Sequence, residues 1–165
     1  MKLSADLEAA FNEQITLEFE SSIAYRQLAV EMDVRDLPGM AAWLRIQADE
    51  EIVHAHKFID HLVDRDNHAR IGAIAAPATD IDSVPACFQA ALAHEEKVSE
   101  AIRELYRRTE SAGDLDSRPL LNWFVDEQIE EESTVREILG RLALIGDDGL
   151  GLIKLDEELG ARGAV

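Results

Sequence analysis

Four long stretches of this sequence carry the spacing of amphipathic helices, and each places a glutamate on the face that its neighbours commit to burial. Stepping by three or four residues, the first stripe reads Leu7, Phe11, Gln14, Glu18, Ser21, Tyr25, Leu28. The second reads Leu44, Ala48, Glu51, Ala55, Phe58, Leu62, with His54 one turn beyond Glu51. The third reads Phe88, Leu92, Glu95, Val98, Ile102, Leu105, and the fourth reads Leu121, Phe124, Gln128, Glu131, Val135, Ile138, Leu142. Counted in turns, each glutamate lies near the middle of its helix. A fold in which the four helices share one core therefore brings four carboxylates to one level.

The spacing predicts helices over about 4–34, 39–65, 83–112 and 118–145, and a short fifth over about 149–159. Ser4 is placed to cap the first, Pro38 and Gly39 break the chain before the second, and Pro85 sits in the first turn of the third. Ser117 and Pro119 open the fourth, and Gly146 ends it. Only four prolines and nine glycines occur in 165 residues, most of them between these stretches, so the expected class is all-α. The length fits a single domain over 1–165 with a real core. The first and third breaks are short, so each flanking pair forms an antiparallel hairpin. The middle connection, RDNHARIGAIAAPATDIDS, has no helical period. A helix of about 28 residues is about 42 Å long, and roughly 18 extended residues reach at most about 60 Å. A strap running the length of the bundle accounts for it and makes the second and third helices parallel. A plain up-down bundle with a loose loop is the other topology this pattern allows.

Four ionised carboxylates in a core lose hydration and repel, at several kcal/mol per ion. They either take up protons or are held by cations. His54 favours cations, because imidazole is a good transition-metal ligand, and Glu51-x-x-His54 puts an oxygen and a nitrogen donor on one helical face. Mostly hard oxygen donors suit Fe(II) or Mn(II) better than a closed zinc site. The expected site is dinuclear, with Glu51 placed to bridge. Glu50, Glu127 and Glu130 lie beside these residues, rotated toward one flank. They make either a solvated acidic face or a third, more exposed cation site.

The formal net charge of −18 argues against nucleic acid, whose phosphates need Lys and Arg, and against anionic membranes, while it suits cations. No apolar run approaches the roughly 18 residues needed to cross a bilayer, and the N-terminal MKLSADLEAAF lacks a signal-peptide core. The single cysteine, Cys87, reads as a small core residue and points to a reducing cytoplasm. His56 reads as a surface residue.

The stretches NEQITLEFESSIAY, ADEEIVHAH, AHEE, NWFVDEQIEEE and LIGDDGLGL together resemble the bacterial non-haem ferritins over essentially the whole chain. The resemblance implies a ferritin-like bundle with one long crossover, a short C-terminal fifth helix, and a ferroxidase centre. By match, Glu18, Glu51 and His54 hold a first iron ion. Glu51, Glu95, Glu131 and Gln128 surround a second, and Glu50, Glu127 and Glu130 form a third site. Tyr25 matches the family's redox-active tyrosine, and Trp123 matches a family aromatic that a core role explains equally well. The family uses dioxygen or hydrogen peroxide as oxidant and assembles as a 24-subunit cage around ferric mineral. The related haem-binding bacterioferritins carry a methionine immediately after the bridging glutamate. Here Ile52 stands there, so no haem is expected.

Overall fold

Ser4 starts the first helix, its hydroxyl accepting from the Leu7 N–H at 3.3 Å. The computed structural model describes residues 1–161. Five α-helices follow in order: α1 (Ala5–Asp33), α2 (Pro38–Asp64), α3 (Val84–Ser111), α4 (Arg118–Ile145) and α5 (Gly149–Gly160). Asp36 takes the left-handed conformation at φ 56° between α1 and α2, and Pro38 then fixes the first turn of α2. Ser83 caps α3 through the Ala86 N–H at 3.2 Å. Gly113 ends it with φ 69°, while the Asp114 N–H reaches back to the Thr109 carbonyl, as a Schellman stop requires. Ser117, expected to open α4 as a cap, makes no capping bond. Its hydroxyl instead donates to Asp114 Oδ2 at 2.5 Å and accepts from Arg65. A buried ion pair needed that oxygen more than the helix end did.

The connection between α2 and α3 is a strap laid along α1. The Arg70 N–H donates to Asn12 Oδ1, the Gly72 N–H to Thr16 Oγ1, and the Arg35 guanidinium to the Ile81 carbonyl. These anchors climb α1 from its first third to its end, so the strap spans the bundle and returns the chain to the end where α2 began. The α3 helix consequently runs parallel to α2 and antiparallel to α1, with Cys87 against Leu28, Tyr25 against Glu95, and Arg108 against Asp6. Topology and fold class match the four-helix bundle with one crossover.

The apolar interior is divided in two. One cluster holds Tyr25, Leu28, Met32, Leu44, Phe88, Val135 and Ile138. The other holds Phe11, Ile15, Phe58, Leu62, Val98, Ile102 and Phe124. On every one of the four long helices the glutamate lies between a residue of the first cluster and one of the second. The seam is a polar layer across mid-bundle. Among the described residues, no helix is long and apolar enough to cross a membrane.

Candidate metal centre

Glu18, Glu51, Glu95 and Glu131 all sit in that layer, and Glu18 and Glu95 are fully inaccessible. The carboxylates of Glu18 and Glu51 and a ring nitrogen of His54 lie within 4.8 Å of one another. His54 Nδ1 stands 3.5 Å from Glu51 Oε2. A second group shares the imidazole: His54, Glu127 and Glu131, with His54 Nε2 at 3.8 Å from Glu127 Oε1. Glu18 Oε2 and Glu51 Oε2 are buried without any hydrogen-bond partner. Buried carboxylate oxygens are almost always satisfied, so two without a donor, on neighbouring carboxyls that both reach one imidazole, mark a place that takes up a proton or a cation.

Other oxygens of Glu18, Glu95 and Glu131 are held by donors that read the layer from outside. Gln14 Nε2 donates to Glu18 at 2.7 Å, Gln47 Nε2 to Glu131 at 3.0 Å, and Gln128 Nε2 to Glu95 Oε2 at 3.1 Å. Tyr25 donates its phenol to Glu95 Oε1 at 2.5 Å. Trp123 and Phe124 present edges to the His54 ring at 5.6 and 5.5 Å, which limits its rotation. Trp123 is over a third exposed, with Lys57 Nζ 4.3 Å from its ring centre, so it walls the site from the surface rather than filling the core.

Electrostatics agree with the geometry. Burial is the main force raising the Glu18, Glu51 and Glu95 carboxyls above the ordinary value; the nearby Glu51 charge adds to it at Glu18, and the Glu95 charge at Glu51. Glu131 is pushed to about 7, first by burial and then by Glu95 and Glu50. Tyr25 is raised by burial and by Glu95, so its phenol keeps its proton. Removing the charge repulsion takes either protons or cations, and cations add directional bonds to the donors already aimed inward.

Not every residue singled out in the sequence joins these groups. Glu50 is half-buried and close enough to raise both Glu51 and Glu131. Glu127 moves in to His54. Glu130 is exposed and belongs to neither cluster. Conversely, Gln14 lay on the first stripe without a role. Gln47, one turn before Glu51, and the pair Ser99 and Glu132 carry no signal in the sequence, because a polar residue at a helix flank looks like solvent-facing surface.

Comparison with known proteins places the bundle in a family. The family model described as the ferritin-like domain matches residues 8–145. The chain is 34% identical over 157 residues to a bacterial non-heme ferritin of Escherichia coli O6:H1, covering 95% of each. It is 37% identical over 160 residues to one of Staphylococcus epidermidis, covering 97% of this chain and 96% of that one. The chain belongs to the ferritin family. Its fold superposes with a TM-score of 0.95 on an open-pore ferritin of the archaeon Archaeoglobus fulgidus, at 34% identity over 97% of this chain and 98% of that one. The match covers all four helices of this ferritin-family chain that carry the polar layer. The polar layer therefore lies within a ferritin bundle.

Proposed function

We propose that this chain is the subunit of an iron-storing ferritin. It oxidises Fe(II) to Fe(III) at the carboxylate layer and deposits the product as ferric mineral inside a 24-subunit cage. One observation carries the reading: Glu18 Oε2 and Glu51 Oε2 are buried without a donor, on two carboxyls grouped with the His54 imidazole in a ferritin-family bundle. The substrate ions are Fe(II), drawn in by a surface of net charge −18.

Glu18, Glu51 and His54 hold the first ion. Glu51, Glu95 and Glu131, with Gln128 beside them, hold the second, and Glu51 bridges. Glu50, Glu127 and Glu130 hold a third on the flank of α2 and α4; Glu50 and Glu127 both lie close enough to Glu131 to raise its carboxyl, which supports an acidic pocket there, with Glu130 exposed at its edge. Two Fe(II) ions give up one electron each, and dioxygen takes both with two protons to become hydrogen peroxide. Hydrogen peroxide, as oxidant, takes two electrons and two protons to become water. The protein contributes position, charge neutralisation and hard anionic donors that favour the higher oxidation state. Tyr25, hydrogen-bonded to Glu95, is placed to give the oxidant one electron in place of one Fe(II), its phenol proton passing to Glu95. No haem takes part, a reading supported by Ile52 beside Glu51. The cage works in the cytoplasm, in keeping with a lone buried thiol, Cys87.

Aerobic addition of Fe(II) to the purified protein, followed by ferric absorbance, tests the chemistry. Wild type oxidises iron rapidly, and Glu51→Ala slows the reaction by at least about 100-fold, because the bridge between the two ions is lost. Oxidation by Glu51→Ala at the wild-type rate defeats the site assignment. A size-exclusion mass of a monomer or dimer, rather than several hundred kilodaltons, defeats the cage.

A further inference from the structure

A second polar cluster stands behind the layer, between α3 and α4, and nothing in the ferroxidase reading uses it. Ser99 and Glu132 are both buried, and the Ser99 hydroxyl donates to Glu132 Oε1 at 2.5 Å. Glu132 is held in turn by two arginines: Arg136 donates to Oε2, and an Arg103 nitrogen lies 3.7 Å from Oε1. The cluster touches the metal layer at one residue. Gln128 Nε2 donates to Ser99 Oγ at 3.3 Å, to the Glu95 carbonyl at 3.3 Å and to Glu95 Oε2 at 3.1 Å.

Counting donors settles which way the Gln128 amide turns. A serine hydroxyl has one proton, and here the Glu132 carboxylate takes it. Ser99 Oγ is left with only lone pairs to offer Gln128. The Glu95 carbonyl and carboxylate are acceptors as well. An amide oxygen in the place of Nε2 would meet three acceptors and no donor, so the NH2 end is fixed there and Oε1 is turned away. The amide nitrogen is no metal ligand, so Oε1 is the one atom that Gln128 can offer a cation. We infer that Glu132, clamped by Arg103 and Arg136, is a positioning residue that acts through Ser99 to hold the Gln128 oxygen available to the second metal ion.

Freeing the Ser99 proton weakens the constraint by taking away one of the three acceptors. In Glu132→Gln the new amide can donate to Ser99, whose hydroxyl then becomes a donor to Gln128, and only the two Glu95 acceptors still oppose inversion of the Gln128 amide. This inference rests on the two-ion reading of the layer, and its test separates the two. Assembled protein is titrated anaerobically with Co(II), following calorimetry and the d–d absorbance; the second ion is the one whose binding Glu95→Gln abolishes. In Glu132→Gln and in Ser99→Ala, affinity for that ion falls about tenfold or more, the usual size of an outer-shell loss. Affinity for the first ion stays, and Ser99→Thr, which keeps the hydroxyl, retains both. Unchanged second-ion affinity in Ser99→Ala and Glu132→Gln overturns the inference, and so does an equal loss of both ions, which would mark a structural role. Wild type that binds no Co(II) pair overturns the ferroxidase reading and this inference together. Arg136→Gln, at a half-exposed position, loosens the clamp without opening the core and gives a smaller loss in the same direction should Glu132→Gln fail to fold.

Discussion

Glu131 shows how a single residue couples the site to stability. Burial and its carboxylate neighbours hold it at about 7 in the folded chain, against an ordinary 4.5. The folded state therefore binds the proton more tightly than the unfolded state. Stability from this group is fully present below the unfolded value and is lost as pH rises through 4.5 to about 7. At about 1.4 kcal/mol per unit, the loss is on the order of 3 kcal/mol. Glu18, Glu51 and Glu95, raised by the same causes, act in the same direction. Metal-free protein is thus expected to melt at a higher temperature near pH 5 than near pH 7.5. Scanning calorimetry at both values checks this. Glu131→Gln flattens the profile, and saturation with a divalent ion raises stability most at the higher pH, where the carboxylates are free to bind it. A metal-free melting temperature that rises steadily from pH 5 to 7.5 contradicts the burial argument.

At the scale of elements, the α2 N-terminus has no cap of its own. Leu37 occupies the cap position and offers no side-chain acceptor. The missing acceptors come from α5, where Asp156 takes the Gly39 N–H at 3.1 Å and the Met40 N–H at 2.7 Å. Gly39 is glycine because the two helices touch there; a Cβ would meet the Asp156 carbonyl oxygen at 1.8 Å. Asp156→Ala removes the cap and should cost about 1–2 kcal/mol of thermal stability. Gly39→Ala should push α5 off α2 and be the worse of the two. Limited proteolysis between α4 and α5 reads both: cleavage after Gly146 accelerates in each variant, while iron oxidation in the distant layer persists. Equal protection of wild type and Gly39→Ala would show that α5 is held by something else.

At the scale of the whole molecule, two apolar clusters are joined through a polar waist, and each end needs its own closure. The end where the chain starts is closed by Arg65. Its guanidinium pairs with Asp114 at 2.7 Å, and it also donates to Ser117 and the Met1 carbonyl. That one side chain ties together the N-terminus, the end of α2 and the turn before α4. Asp114→Ala leaves the buried guanidinium only the exposed Asp116, at 3.8 Å, as a carboxylate partner and should cost about 3 kcal/mol. Chemical denaturation measures it, and the double variant Arg65→Met with Asp114→Leu should recover most of the loss. A loss in the single variant below about 1 kcal/mol would mean the pair is solvated. The sequence by itself determined the all-α class and the glutamate on each of the four long helices, and it favoured the crossover over a plain up-down bundle, a choice that the strap's bonds to α1 then decided. Helical period, proline and glycine placement, and connection length are properties of the local chain. Only the tertiary structure decided which donors meet which carboxylates: Gln47 for Glu131, Ser99 for Glu132, Asp156 for α2, Glu127 rather than Glu130 beside His54. Periodicity tells a residue which face of its own helix it lies on. Which partner it finds across the interface depends on the rotation and register of two packed helices, and those are set by the whole core at once.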